Sequence, residues 1–164
     1  MTGSYGTEEG AFKILRPYGR NGSAVKVFPT TADFADRDDR PYVEYAFQTG
    51  KEADYSLTFE MAPTTPSVFE PVQYIGFSLN GGEVQKINTV LQPERPFYNS
   101  PQWYREAMDA VKKTETVIHC TEGINTIRFY GMSPSIVLER IVLVREDAVL
   151  PESYLGPKES FIQI

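Results

Sequence analysis

His119 and Cys120 stand side by side in the stretch ETVIHC, and an imidazole beside a thiol is where nucleophilic or metal chemistry is first sought. They are the chain's only histidine and only cysteine. The stretch reads as a strand, on which successive side chains point to opposite faces. The two therefore neither share a metal nor form a nucleophile and base, and a structural histidine beside a buried thiol is expected. A Ser-His-Asp mechanism has no other imidazole to draw on. A carboxylate pair for glycoside hydrolysis needs two acids at a fixed separation, and Glu44, Glu60, Glu83 and Glu139 lie on or beside strand patterns. Solvated strand faces and turn positions account for all four. The adjacent basic pair Lys112-Lys113 reads as a solvated helix end. Gly-rich phosphate loops, zinc spacings and calcium-loop motifs are missing from the sequence. No catalytic residue and no metal ligand is assigned.

Aromatic side chains offer a better lead. RPFYNSPQWYRE places Phe97, Tyr98, Trp103 and Tyr104 in a Pro-bounded loop and the helix start that follows it. Sugars present apolar C–H faces ringed by hydroxyls, so an aromatic platform beside Asn99, Gln102 and Arg105 suits them. The alternative is that Trp103 and one tyrosine simply anchor the helix on the rest of the domain.

The elements that must position these residues are mostly strands. The chain has 164 residues, 41% hydrophobic and 23% charged, which fits one soluble domain with a sizeable core. Ten tyrosines and ten phenylalanines favour strands. A net charge of −6 argues against a nucleic-acid partner, and no apolar run approaches membrane-spanning length. One cysteine allows no intrachain disulfide.

In ADYSLTFEM, Ala53, Tyr55, Leu57, Phe59 and Met61 share one face, a period-two pattern. Val43, Tyr45 and Phe47 alternate with Glu44 and Ala46, Ile75, Phe77 and Leu79 with Gly76 and Ser78, and Ile127 and Phe129 with Thr126, Arg128 and Tyr130. AVKVF and ETVIHC are weaker candidates. NGGE predicts a tight turn pairing Tyr74–Leu79 antiparallel with Val84–Asn88. APTTPSVFEP and QPERPFYNSP are read as long loops, because proline does not sit in a central strand. One helix is expected, with Ser100 as N-cap, Pro101 at its first turn, an apolar stripe of Trp103, Ala107, Ala110 and Val111, and lysines at its C-terminal end.

The segment SIVLERIVLV is rich in β-branched residues and reads as a strand joined to NTIRFYG by a Ser133-Pro134-Ser135 turn. Glu139 and Arg140 fall on its opposite faces, so each is expected to find a partner elsewhere or to reach solvent. The sum is an all-β fold, an antiparallel two-sheet β-sandwich with one short helix.

From YGRNGSAVKVFP onward, the order of segments resembles the C-terminal domain of glycoside hydrolase family 115, the xylan α-glucuronidases. PYVEYAF, QYIGFSLNGGEVQKIN, PQWYREAMDAV, GINTIRFYGMSPSIVLERIVLV and LPESYLGPKES follow in the family's order, and the family closes on a similar Pro-Ser-Tyr-Leu-Gly-Pro-Pro-Glu-Ser motif. Departures are Ser133-Pro134-Ser135 for Asp-Pro-Gly, Lys158 for a second proline, and MTGSYGTEEGAFKILRP where members carry a strand with Glu-Ala-Glu.

The resemblance implies a jelly-roll, galactose-binding-like accessory module, not itself an enzyme. Its implied ligand is xylan or a related hemicellulose of the plant cell wall, and the aromatic loop and helix start described above supply the expected contacts: Tyr98, Trp103, Tyr104, Phe97, Asn99 and Arg105. A structural or dimerisation role without sugar binding is the alternative. The implied partners are the parent catalytic domains and, in some members, a second copy; nucleic acid and membrane are not among them. No cofactor is expected, and the departure at the N-terminal strand removes support for the structural calcium of related modules. The implied location is extracellular or periplasmic with a secreted enzyme, although the first residues lack a signal-peptide pattern. The expected layout is one domain over 1–164, with 1–10 flexible or tag-derived and 151–164 a C-terminal tail.

Overall fold

The computed structural model of the protein describes residues 1–67, 70–91, 100–149 and 158. Along the chain run β1 (Gly3–Tyr5), β2 (Ala11–Leu15), β3 (Ala24–Phe28), β4 (Tyr42–Thr49), β5 (Ala53–Met61), β6 (Tyr74–Leu79), β7 (Gln85–Asn88), α1 (Pro101–Asp109), β8 (Lys112–Cys120), β9 (Gly123–Tyr130) and β10 (Val137–Arg145). They form two five-stranded sheets, ordered β1-β4-β9-β6-β7 and β2-β3-β10-β5-β8. Every pairing within them is antiparallel. The result is the two-sheet sandwich that the alternating patterns predict.

The inward faces meet in a core of aromatic and aliphatic side chains. Phe59 of β5 packs against Phe77 of β6 and Phe129 of β9, with ring centroids 5.4 Å apart in both pairs. Leu57 and Met61 on one sheet, and Val43, Ile75 and Ile127 on the other, are fully buried around them. These are the positions that the period-two reading assigns inward. Cys120 is buried at the end of β8 while its neighbour His119 is exposed, as the strand geometry requires.

The β6–β7 hairpin turns at Asn80 and Gly81, both at positive φ (51° and 72°), and β7 begins at Gln85. Residues 1–10, expected to be a flexible or tag-derived lead-in, instead supply β1, which pairs with β4 from Gly3 to Tyr5. The segment YGMSPSIVLE links two strands, as its reading predicts. β9 and β10 belong to different sheets, so the Ser133-Pro134-Ser135 turn carries the chain across the sandwich.

Glu139 and Arg140 do find separate partners. The register of β10 against β5 shifts between Leu138 and Arg140. Arg140 then lies opposite Glu60 and donates to its carboxylate at 2.8 and 2.5 Å. Glu60 is almost buried, so it is no solvated strand face; its β8 neighbour Lys113 lies 3.6 Å away. Glu139 accepts the Arg20 backbone N–H at 3.2 Å, and its carboxylate fills the space beside Gly19, whose φ of 64° and missing Cβ the contact requires.

Phe59 holds the two sheets together, so truncating it leaves a cavity the sandwich cannot close. Phe59→Ala is expected to lower the unfolding free energy by about 3–5 kcal/mol, read as a shift of the urea midpoint with an unchanged slope.

Candidate functional site

Three loops that pass between the sheets, β3–β4, β5–β6 and β9–β10, converge at one end of the sandwich and enclose a cleft of about 490 Å³. That volume lies in the range of small-molecule sites. Its walls carry Asp33, Asp36, Glu70, Tyr74, Lys86 and Ser133, with Val72 and Pro134 as apolar surface. The Lys86 ammonium lies 4.1 Å from the centre of the Tyr74 ring. It also donates to Asp36 at 2.8 Å and to the Ala35 carbonyl at 2.9 Å, which ties the β3–β4 loop to β7. That pairing holds the Asp36 carboxyl below its usual range.

The crossing turn forms another wall. Ser133 donates its N–H to the Tyr74 carbonyl at 3.1 Å and its hydroxyl accepts the Tyr74 N–H at 2.8 Å. The Lys26 ammonium donates to the Pro134 carbonyl, and Gln73 donates to the Ser135 hydroxyl at 2.7 Å.

Behind this wall lies a buried polar network that corrects the reading of the helix. α1 is capped by Ser100, whose hydroxyl accepts the Trp103 N–H, and Pro101 opens it as expected. It ends at Asp109, because Ala110 turns into the left-handed region and bonds back to Glu106. Lys112 and Lys113 therefore open β8 instead of closing the helix. The face that α1 buries is also different: Gln102 and Glu106 point inward, while Ala107 is exposed.

Lys112 is 0% exposed. It donates to Gln73 at 2.5 Å and to Thr89 at 3.5 Å, and its ammonium lies 3.7 Å from Glu106. Gln102 completes the set by donating to Glu106 at 2.5 Å and to the Thr89 carbonyl at 2.9 Å, and by accepting the Leu91 N–H. Burial pushes the Lys112 ammonium down and the Glu106 carboxyl up, each opposed by the other's charge.

Of the residues chosen from the sequence, Trp103 and Tyr104 pack edge to face at 5.3 Å at the start of α1. Tyr104 is 51% exposed, Trp103 is half-buried and Arg105 is exposed. Phe97, Tyr98 and Asn99 lie outside the described residues, as does nearly all of the closing LPESYLGPKES motif. The structure does not bring Trp103, Tyr104 or Arg105 to the cleft wall. Among the described residues, no cluster of His, Cys, Asp or Glu is arranged to hold a metal ion.

The cleft itself was missed. Its residues come from four separated stretches, and its clearest signal was Tyr74 and Lys86 flanking the one predicted hairpin. His119 is exposed on β8, with its ring nitrogens 2.7 Å from Asp54 and 3.2 Å from Glu52. Both carboxylates raise its pKa above 6.5, Asp54 more strongly.

Comparison with known proteins follows the architecture. Residues 1–159 match the family described as Glycosyl hydrolase family 115 C-terminal domain. A family GH115 4-O-methyl-α-glucuronidase, with specificity for decorated arabinogalactans, contains a similar fold at 13% identity and a TM-score of 0.64. The match covers 89% of this chain but 18% of that enzyme. A family 35 carbohydrate-binding module from Clostridium thermocellum matches at 20% identity and a TM-score of 0.56, over 88% of this chain and 99% of that module. A GH26–CBM35 β-(1,4)-mannanase from Podospora anserina matches at 14% identity and 0.54, over 90% of this chain and 28% of that one. No curated protein sequence matches the chain.

Lys112→Met leaves Glu106 buried without its ammonium, and is expected to cost about 3–5 kcal/mol in urea denaturation. The native state holds the His119 proton more tightly than the unfolded chain, so its contribution is full below pH 6.5 and is lost as pH rises through the folded pKa. The single imidazole should titrate above 6.5 in proton NMR and move back toward it in Asp54→Asn; a wild-type titration at or below 6.5 would refute this.

Proposed function

The chain belongs to the glycosyl hydrolase family 115 C-terminal domain family, and from that premise we propose that it binds carbohydrate for its parent enzyme, holding xylan or a related hemicellulose in the cleft beside Tyr74 and Lys86. Family and fold place it with non-catalytic modules similar to carbohydrate-binding modules. The observation that carries the reading is the Lys86–Tyr74 contact inside a cleft walled by carboxylates and a serine hydroxyl. A pyranose ring has apolar C–H faces for Val72, Pro134 and the aromatic edge. Its hydroxyls both donate and accept, so they suit Asp33, Glu70, Ser133 and Lys86 together. The residues at the start of α1 (Trp103, Tyr104 and Arg105, with Phe97, Tyr98 and Asn99) are proposed as a second contact for the same polymer. A parent enzyme acting on plant cell walls carries the module outside the cell or into the periplasm.

A different surface favours the alternative of a docking or dimerisation domain. Tyr104 and Met108 lie four residues apart on one face of α1, and Met108 is 85% exposed. That face suits a parent catalytic domain or a second copy.

Calorimetry against soluble xylans, mannans and arabinogalactans tests the first reading. Binding is expected, and Lys86→Ala is expected to weaken it about tenfold or more, as for loss of a charge-assisted hydrogen bond. No binding to any glycan of the panel, together with concentration-dependent association in sedimentation that Met108→Lys abolishes, would replace it with the docking reading.

A further inference from the structure

The outward face of the sheet β1-β4-β9-β6-β7 carries a row of tyrosines fixed by strand register. Tyr5 of β1 lies opposite Tyr42 of β4, which lies opposite Tyr130 of β9. Neighbouring ring centroids are 5.5 Å apart in both pairs, so three adjacent strands present three phenols in line across about 10 Å. The inward neighbours Val43 and Phe129 are fully buried, which fixes the tyrosines on the outer face.

The next row lies in register with the first. Glu44 stands opposite Arg128, and Arg128 opposite Ser78. Arg128 donates to Glu44 at 2.8 Å and lies 4.6 Å from the Tyr42 ring centre. Tyr130 and Ser78 share a hydrogen bond at 3.1 Å, and the Tyr5 hydroxyl donates to Asp39 at 3.1 Å. The tyrosine row continues from Tyr130 to Gly76 and then to Lys86, the residue that walls the cleft. Over Gly76 the Met132 side chain occupies the space a Cβ would need.

We infer that this tyrosine row is a further glycan-contact surface, apart from the cleft and the start of α1, which binds an uncharged stretch of a polysaccharide main chain whose neighbouring unit occupies the cleft; the inference rests on the carbohydrate-binding reading above. Ring faces and edges suit sugar C–H surfaces, and phenol, guanidinium and carboxylate groups around them can satisfy hydroxyls in both senses. Charge selects the uncharged polymer. Arg128 is matched by Glu44 and Lys86 by Asp36, and the Asp39 carboxylate stands beside Tyr5. A uronate beside Tyr5 would face the Asp39 carboxylate, while the two cations of the row, Arg128 and Lys86, are already engaged by Glu44 and Asp36.

The experiment is a titration of the full chain with xylobiose, xylohexaose, mannohexaose and a glucuronate-bearing xylo-oligosaccharide, read by calorimetry and by amide chemical shifts. A hexasaccharide is expected to bind more tightly than the disaccharide. It should shift amides of 3–5, 42–44 and 128–130 that the disaccharide leaves in place. Tyr42→Ala should weaken the hexasaccharide about tenfold while leaving the disaccharide unchanged. Tyr5→Ala, at an exposed edge position, and the wild-type shifts decide the matter if Tyr42→Ala does not fold.

Equal binding of short and long sugars, with shifts confined to the cleft, would overturn the tyrosine surface and leave the cleft reading standing. Tighter binding of the glucuronate-bearing sugar through the row would overturn the choice of an uncharged chain. No binding of any of the four sugars would remove both readings.

Discussion

The contact of Phe59 with Phe77 and Phe129 is the constraint on which the rest depends. These rings belong to opposite sheets, and their packing sets which face of every strand is inside. Period-two geometry then decides the other face as well: each strand that sends a phenylalanine or valine inward must send its neighbours to the opposite face of its sheet. On one sheet those outward positions carry Tyr42, Glu44, Arg128 and Tyr130. On the other they carry Lys113, Glu60 and Arg140 in register, with Asp54 opposite His119. The chemistry of both outer sheet faces is a consequence of the core.

The buried ammonium of Lys112 is the second organiser. A lysine taken out of water must be given acceptors, and here they come from Gln73 before β6, Thr89 after β7 and Glu106 on α1. The network therefore joins the helix, the end of the hairpin and the start of β8, elements with little apolar surface in common. Gln73 also reaches Ser135, so the same network extends to the crossing turn that walls the cleft. It replaces the apolar stripe that an amphipathic helix ordinarily uses.

Much of the sandwich was legible because one face of each central strand is fully buried, which forces strict alternation in β4, β5, β6 and β9. The helix end was not legible. Alanine is a poor candidate for the left-handed conformation that Ala110 adopts, so the lysines after it read as helical. Lys112 itself could not be read as buried, since its partners lie 39, 23 and 6 positions away in sequence. The tyrosine row shows the same limit in another form. Tyr130 was legible as an outward position, but its alignment with Tyr42 and Tyr5 depends on register between strands far apart in the chain. β1 was discounted because its three residues are too few to show a period.

That short strand gives the molecule two tiers of cooperativity. β5 pairs with β8 over its nine residues and with β10 from Tyr55 to Met61, so it is held on both sides at the centre of its sheet. β1 is an edge strand of three residues with one neighbour, so it can detach by local opening while the core persists. Its amides should exchange with solvent orders of magnitude sooner than those of β5. Tyr5 thus sits on a short edge element, and whatever fastens β1 to β4 converts a fluctuating end into part of a fixed surface.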